Sequence, residues 1–242
     1  MKQRIFKIKE NIALNKSIMK MVLTGDTEDI KCGQFVNLQI SGLYLRRPIS
    51  VCDCVGDELT LIYKIVGKGT EMMSKMQDEE IDVLTELGNG YDTSLSGDRP
   101  LLVGGGVGVP PLYMLAKTLI SEGKKVSVIL GFNTKDEIFY EDEFKALGAD
   151  VQVTTVDGSY GVKGFVTDAM DMDYSYTYSC GPEPMLKALY KASKTSGQYS
   201  FEERMGCGFG ACMGCSCKTV TGYKRICKEG PVLCKEEILW EA

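Results

Sequence analysis

The sequence predicts an antiparallel β-barrel, then an α/β domain with a parallel sheet, then a small cysteine-bearing C-terminal segment. Three observations carry this reading. Short strand-like runs fill the first hundred residues, strands alternate with helices after Asp98-Arg99-Pro100, and the chain turns rich in cysteine and glycine from about residue 198. The expected boundaries are therefore 1–98, 99–197 and 198–242.

In the first unit, residues 5–10, 18–25, 34–40, 48–54, 58–66 and 81–87 are rich in β-formers, many with period-two alternation. Gly25, Gly33, Gly56 and Gly88-Asn89-Gly90 separate them, and only 68–76 reads as a helical turn. Short strands at this spacing suggest a barrel. In the second unit, 100–106 is a buried-type strand, 110–123 a helix opening on prolines, and 125–132 another strand. Residues 138–148, 150–158 and 176–193 continue the alternation, which implies crossover helices over a parallel sheet. In the last unit, 219–227 reads as a hairpin around Thr221-Gly222.

At 242 residues, 44% hydrophobic and 25% charged, the chain can bury a full core. A net charge of −5 with interleaved signs argues against nucleic acid or an anionic membrane as partner. No apolar run reaches the roughly 20 residues of a membrane span. The first fifteen residues lack the apolar stretch of a signal peptide, so a cytoplasmic location is expected. In a reducing compartment, ten cysteines point to metal or redox chemistry rather than disulfides. The chain has no histidine, which removes the commonest general base, so cofactors are expected to carry the chemistry.

Gly104, Gly105, Gly106 and Gly108 lie at a strand-to-helix turn, where bare amides can meet a pyrophosphate. A plain tight turn would need one or two of them, and the match to G-x-G-x-x-G is imperfect because Val109 stands at the last position. A second such junction, Cys180-Gly181-Pro182, places a thiol at a strand C-terminus, where open α/β sheets bind ligands. Its plainer reading is a small buried residue closing a strand. Arg46 and Arg47 precede Pro48, Ile49 and Ser50 at the start of a barrel strand. Arginine suits a pyrophosphate, although paired surface arginines are usually solvated charge. After the strand ending near Phe132 come Thr134, Lys135 and Asp136, with no arginine cluster for a 2′-phosphate, so NAD(H) is favoured over NADP(H).

Cys207-x4-Cys212-x2-Cys215 has the spacing of plant-type [2Fe–2S] loops. Tetrahedral zinc would prefer two C-x2-C knuckles, and only 212/215 is present. Cys227 and Cys234 both follow at distances open to a fourth ligand, and Cys217 is a further thiol.

The succession Arg47-Pro48-Ile49-Ser50, Gly67-Lys68-Gly69-Thr70, "GGGVGVPP" and "CGPEPM" resembles the ferredoxin-reductase superfamily over about residues 1–200. That resemblance implies a Greek-key FAD-binding barrel and an NAD(P)-binding domain. FAD would then lie on Arg47, Pro48, Ile49, Ser50, Ile62, Tyr63, Lys64, Gly69 and Thr70, with Tyr44 and Tyr63 as candidate stacking rings. The nicotinamide nucleotide would lie on Gly104–Gly108, with Cys180, Gly181 and Pro182 near its ring. The tail, "FEERMGCGFGACMGCSCKT…YKRICKEGPV", resembles the electron-transfer subunits of class 1B dihydroorotate dehydrogenases. This implies a [2Fe–2S] cluster on Cys207, Cys212, Cys215 and Cys227, the last chosen by its C-x-x-G-P-V context. It also implies an FMN-containing catalytic subunit as partner, a heterotetramer of two subunits of each kind, and electron flow from dihydroorotate to NAD+. A small subunit of a sulfide dehydrogenase-like or ferredoxin:NADP reductase-like complex is the alternative the resemblance leaves.

Overall fold

The first unit runs β1 (Lys2–Ala13), β2 (Ile18–Thr24), β3 (Phe35–Leu38), β4 (Arg47–Val55) and β5 (Glu58–Lys64). Buried and exposed residues alternate along β1, whose one face lies inside a barrel, whereas β3 is buried on both faces. A short α1 (Lys68–Met73) leads to β6 (Glu80–Leu87), which closes the barrel on β1. The computed structural model describes residues 1–240. Strand order is β1-β2-β5-β4-β3-β6: the consecutive hairpins β3-β4-β5 are flanked by β6 returning beside β3, a Greek key. Phe6, Met21, Leu23, Leu38, Leu59 and Leu61 fill the interior.

The second unit runs β7 (Pro100–Gly105), α2 (Pro111–Ser121), β8 (Ser127–Phe132), α3 (Glu141–Ala146), β9 (Asp150–Thr155), β10 (Val162–Lys163), β11 (Tyr176–Cys180), α4 (Glu183–Ala192) and β12 (Gly197–Ser200). Its sheet is parallel from β10 through β9, β8, β7 and β11 to β12. The tail adds a hairpin, β13 (Ser216–Thr219) with β14 (Gly222–Arg225), and then β15 (Val232–Cys234), which joins the sheet antiparallel to β12. The hairpin loop is Val220-Thr221, one residue earlier than the expected Thr221-Gly222, because Thr219 pairs with Gly222. The expected helix 138–148 shortens to Glu141–Ala146, since Tyr140 takes a left-handed conformation (φ 67°) at its start.

Two shared cores fix the units against one another. Ile18, Cys52 and Ile62 on the outside of the barrel pack with Leu112, Leu115 and Ala116 of α2. Lys117 reinforces this seam, its Nζ lying 2.9 Å from Asp53 Oδ2 on β4. On the other side, Phe35, Leu84 and Leu87 of the barrel share a core with Cys215, Ile226 and Cys227 of the tail and Leu101, Val103 and Leu186 of the sheet. The tail is thus wedged between barrel and sheet. The cis Gly230-Pro231 bond stands where the two meet: Asn89 N donates to Gly230 O at 2.7 Å, and Asn89 Nδ2 to Val232 O at 2.7 Å.

Candidate functional site

Three groups of residues converge around these seams. The first is the start of β4. Arg47, Pro48, Ile49 and Ser50 are all half-buried and pair with Leu38, Asn37, Val36 and Phe35 of β3. The two arginines separate by role. Arg46 is fastened to the barrel through Asp82 Oδ1 (2.9 Å) and the carbonyls of Asn37 and Asp82 (3.2 Å each), which holds the Asp82 carboxyl below its ordinary value. Arg47 has no carboxylate partner among the described residues and donates only to the carbonyls of Leu45 and Arg46. Its guanidinium lies against Gly69, where a Cβ would come within 2.1 Å of Arg47 Nε. Gly69 is therefore a seat for Arg47, and Arg47 is the cation left to meet a phosphate.

Of the remaining residues expected on this side, several turn inward. Leu59, Leu61 and Tyr63 alternate into the barrel, and Tyr63 is 2% exposed, its hydroxyl donating to Asn11 Oδ1 at 3.0 Å. Burial pushes that hydroxyl up to about 12. The Tyr63 ring is thus enclosed by protein and only its main chain, between Ile62 and exposed Lys64, is left to a ligand. Tyr44 is the reverse case, with 98% of its surface exposed on the β3–β4 connection. Thr70 is buried, its hydroxyl accepting from Val66 N (2.9 Å) and Gly67 N (3.2 Å), so it shapes the loop before α1.

The second group comprises the β7–α2 and β11–α4 turns. Parallel pairing of β11 with β7 sets Cys180 beside Gly104 and brings both turns together. The glycines then divide by what surrounds them. A Cβ on Gly108 would lie 2.2 Å from Cys180 O, one on Gly105 2.5 Å from Met185 Sδ, and one on Gly181 2.5 Å from Met185 Cε. Gly104 backs onto Val109 at 3.0 Å. Only Gly106, at φ +53°, looks onto open space. Most of this cluster thus serves close packing of two turns, and Gly106 is the point where the backbone faces outward. Cys180 is half-buried at the end of β11, and desolvation pushes its thiol up to about 12 against a hydrogen bond with Ser200, so it stays a neutral thiol at ordinary pH. The 106–108 turn also packs against β5, which brings this group beside the first.

The third group is the cysteine loop. Cys207 Sγ accepts from Ala211 N (3.3 Å) and Cys212 N (3.5 Å), and Cys215 Sγ from Cys227 N (3.4 Å). Desolvation pushes the Cys207 thiol up, but hydrogen bonds from the Cys212, Phe209 and Ala211 amides and from the Cys212 thiol bring it down to about 6. Cys227 goes the other way, to about 12, through desolvation, its hydrogen bond with Cys215, and the neighbouring Cys215 and Cys207. The thiols stand as two pairs, 207 with 212 and 215 with 227; among the described residues no three side chains form a closed metal cage. A donor set of sulfurs already taking amide hydrogen bonds fits an iron–sulfur cluster. Gly206 and Gly214 leave room at Cys212, their Cβ positions lying 3.3 and 3.6 Å from its Sγ. Cys234 is placed elsewhere, in β15 opposite Gln198, and Cys217 sits on β13 opposite Lys224. Arg225 braces the loop, donating to Gly210 O at 2.7 Å while pairing with Glu229.

Sequence reasoning missed Asn37. It is 1% exposed in β3, directly opposite Pro48, and its Nδ2 donates to Cys207 O at 3.3 Å. Its Oδ1 is buried without a partner. An uncharged polar residue at an expected inward-or-outward strand position was the available signal.

Residues 202–239 match the family model described as the iron-sulfur cluster binding domain of dihydroorotate dehydrogenase B, and 102–191 that of the oxidoreductase NAD-binding domain. The chain is 45% identical to the dihydroorotate dehydrogenase B (NAD(+)) electron transfer subunit of Bacillus pumilus, covering 98% of each chain. Its identity to the Fusobacterium nucleatum counterpart is 46%, covering 96% of each. Among solved structures, it is similar to one described as an NADH-dependent reduced ferredoxin-NADP oxidoreductase (TM-score 0.88, 30% identity, 97% of this chain and 90% of that one). The flavohem-like FAD/NAD binding domain of a Vibrio cholerae nitric oxide dioxygenase shares the fold at 20% identity (TM-score 0.70, 81% and 98% covered).

Proposed function

Because the chain belongs to the family of electron-transfer subunits of NAD+-dependent dihydroorotate dehydrogenase B, we propose that it carries electrons from a dihydroorotate-oxidising partner through a [2Fe–2S] cluster and FAD to NAD+, in pyrimidine biosynthesis. When bound, these groups supply hydride exchange at the nicotinamide, two-electron uptake at the flavin and one-electron passage at the cluster. The chain's own residues bind and align them. Arg47 holds the FAD pyrophosphate. Pro48, Ile49 and Ser50, the main chain of Ile62, Tyr63 and Lys64, and the Gly69-Thr70 turn line the flavin nucleotide. The turn at Gly104, Gly105, Gly106 and Gly108 receives NAD(H), with Cys180, Gly181 and Pro182 beside the nicotinamide. Cys207, Cys212, Cys215 and Cys227 hold the cluster. We read 1–98, 99–197 and 198–242 as the corresponding FAD, NAD and cluster units.

The observation that carries this reading is convergence. The 106–108 turn packs on β5 at the flavin-side end of the barrel, and the cysteine loop rests on β3 one strand from Pro48. We assign the partner as an FMN-containing catalytic subunit in a two-plus-two heterotetramer. Phe209 and Met213, 44% and 55% exposed on the cluster loop, offer it an apolar contact. No helix of the described residues is long and apolar enough to cross a membrane. The test mixes the iron- and flavin-loaded chain with that catalytic subunit under anaerobic conditions. Dihydroorotate-dependent reduction of NAD+, with a [2Fe–2S] signal by electron paramagnetic resonance, is the expected result. A colourless protein containing zinc and no iron would overturn the reading, as would a loaded chain that leaves NAD+ unreduced.

A further inference from the structure

The residue joining the cysteine loop to the flavin-side strand is one that no motif singled out. Asn37 and Pro48 are register partners in adjacent antiparallel strands, so their side chains emerge on the same face. On β3, Val36 and Leu38 point into the barrel while Phe35 packs with the tail, which puts Asn37 on the outer, tail-facing side. There its Nδ2 reaches Cys207 O at 3.3 Å. The tail is shaped to accept it: Gly208 takes φ +77°, and a Cβ there would lie 2.4 Å from Asn37 Nδ2. The amide cannot be turned over without facing its oxygen to the Cys207 carbonyl, so the orientation is fixed and Oδ1 remains a buried acceptor without a protein donor. A buried acceptor of this kind is costly unless a partner satisfies it.

We propose that Asn37 is a positioning residue tying the cluster loop to the flavin: its Nδ2 fixes the Cys207 carbonyl, and its Oδ1 accepts a hydrogen bond from an N–H or O–H of the bound flavin nucleotide. The inference rests on the FAD and cluster assignments above. When bound, NAD(H) and FAD would exchange a hydride, two electrons and one proton, and FAD and the cluster would exchange single electrons; an assay started from NADH runs this exchange in reverse. Asn37, holding Cys207 O on one side and the flavin nucleotide on the other, would set how the loop carrying Cys207 faces the flavin.

The test uses the flavin- and iron-loaded chain in anaerobic stopped flow with NADH, following flavin and cluster bleaching separately, with FAD affinity and the cluster's paramagnetic spectrum as independent readouts. Asn37→Leu removes both contacts: FAD binding should weaken about tenfold, the cost of one buried hydrogen bond, and the cluster phase should slow relative to the flavin phase. Asn37→Asp keeps an acceptor but sets a carboxylate against Cys207 O. Gly208→Ala pushes the loop off an intact Asn37. Both should slow the cluster phase and alter the cluster spectrum while binding FAD more tightly than Asn37→Leu does. A merely structural role would lower stability without changing the ratio of the two phases. Loaded variants with wild-type FAD affinity and wild-type phase ratio would overturn the proposal. If Asn37→Leu does not fold, the other two variants decide the matter by the same ratio. A wild-type chain that takes up neither flavin nor iron would instead sink the functional reading beneath it.

Discussion

Gly108→Ala and Gly106→Ala form a pair in which one added methyl group acts through two different causes. At Gly108 the backbone conformation is one any residue adopts, but the new Cβ would lie 2.2 Å from Cys180 O, 2.4 Å from Cys180 C and 2.6 Å from Gly181 Cα. All three are main-chain atoms, so no side chain can swing aside, and the β11–α4 turn must move off the β7–α2 turn. Overpacking of this kind costs about 1–3 kcal/mol. For a chain of this size that is a Tm drop of roughly 2–4 °C per kcal/mol. At Gly106 nothing lies within 4 Å of the Cβ position, and the cost comes only from holding alanine at φ +53°, about 1–2 kcal/mol. The two variants therefore lose similar stability but should differ in function. Gly108→Ala separates the turns proposed to receive the nucleotide and should weaken NADH binding by about tenfold or more, an amount equivalent to roughly 1.4 kcal/mol. Gly106→Ala adds a methyl directly on the open face and should weaken NADH binding while leaving the reactivity of Cys180 toward alkylating agents unchanged; in Gly108→Ala the Cys180 thiol should become more reactive. Calorimetry, NADH titration and timed alkylation supply the three readouts. A Gly108→Ala chain with wild-type Tm and wild-type Cys180 reactivity would refute the claim that the turns are in main-chain contact.

The remaining expectations are simpler. Cys227→Ser should abolish the iron content and visible absorption that Cys234→Ser retains, because Cys227 lies beside Cys215 whereas Cys234 belongs to the sheet; iron analysis of both variants checks this. Tyr63→Phe leaves Asn11 Oδ1 without its donor and should cost about 1–2 kcal/mol in urea unfolding while FAD binding stays unchanged, since the ring points into the barrel. Asp82, held below its ordinary 3.8 chiefly by its hydrogen bond with Arg46, contributes stability fully present above 3.8 and lost as pH falls through its lower folded value. The urea-midpoint difference between wild type and Asp82→Asn should accordingly close on acidification below pH 3.8 and stay constant above it.

What the sequence made legible follows from range. Strands β1 to β9 were visible because each carries enough alternating or apolar residues to show its period, and the strand-helix-strand order implied the parallel sheet. β12 and β15 were not: Gly197–Ser200 and Val232–Cys234 are too short to show any period, and they are strands because β11 offers an edge and the tail returns to it. The same limit applies within the site. Arg46 and Arg47 are indistinguishable in sequence, and only Asp82, eighty-odd positions into the chain, claims the first and leaves the second. Four loop glycines read as a phosphate cradle, yet contacts with Met185, Cys180 and Val109 account for three of them. Tyr63 is the exception that could have been read. Leu59, Leu61 and Tyr63 keep period two, which already turns that ring into the barrel and away from any ligand outside it.

The placement of the tail has a further consequence. A cluster loop tethered only by its chain ends would be free to shift by the length of a flexible segment, and electron transfer between neighbouring centres depends on where each is held. Here the loop is pinned at separated points: Cys207 O on Asn37, Gly210 O on Arg225, and the Gly230–Val232 segment on Asn89. Two of these anchors, Asn37 and Asn89, belong to the barrel unit, and the third, Arg225, ties the loop to the hairpin that follows it. Cys215 and Cys227 are buried in a core shared with Phe35, Leu84 and Leu87, so the inner half of the proposed ligand set is part of the barrel's own packing. Cys212, by contrast, is exposed. The loop thus has a rigid inner side toward β3 and β4 and an open outer side beside Phe209 and Met213, the arrangement expected, on the proposed function, of a relay that fixes its internal acceptor and leaves its external donor to a docking partner.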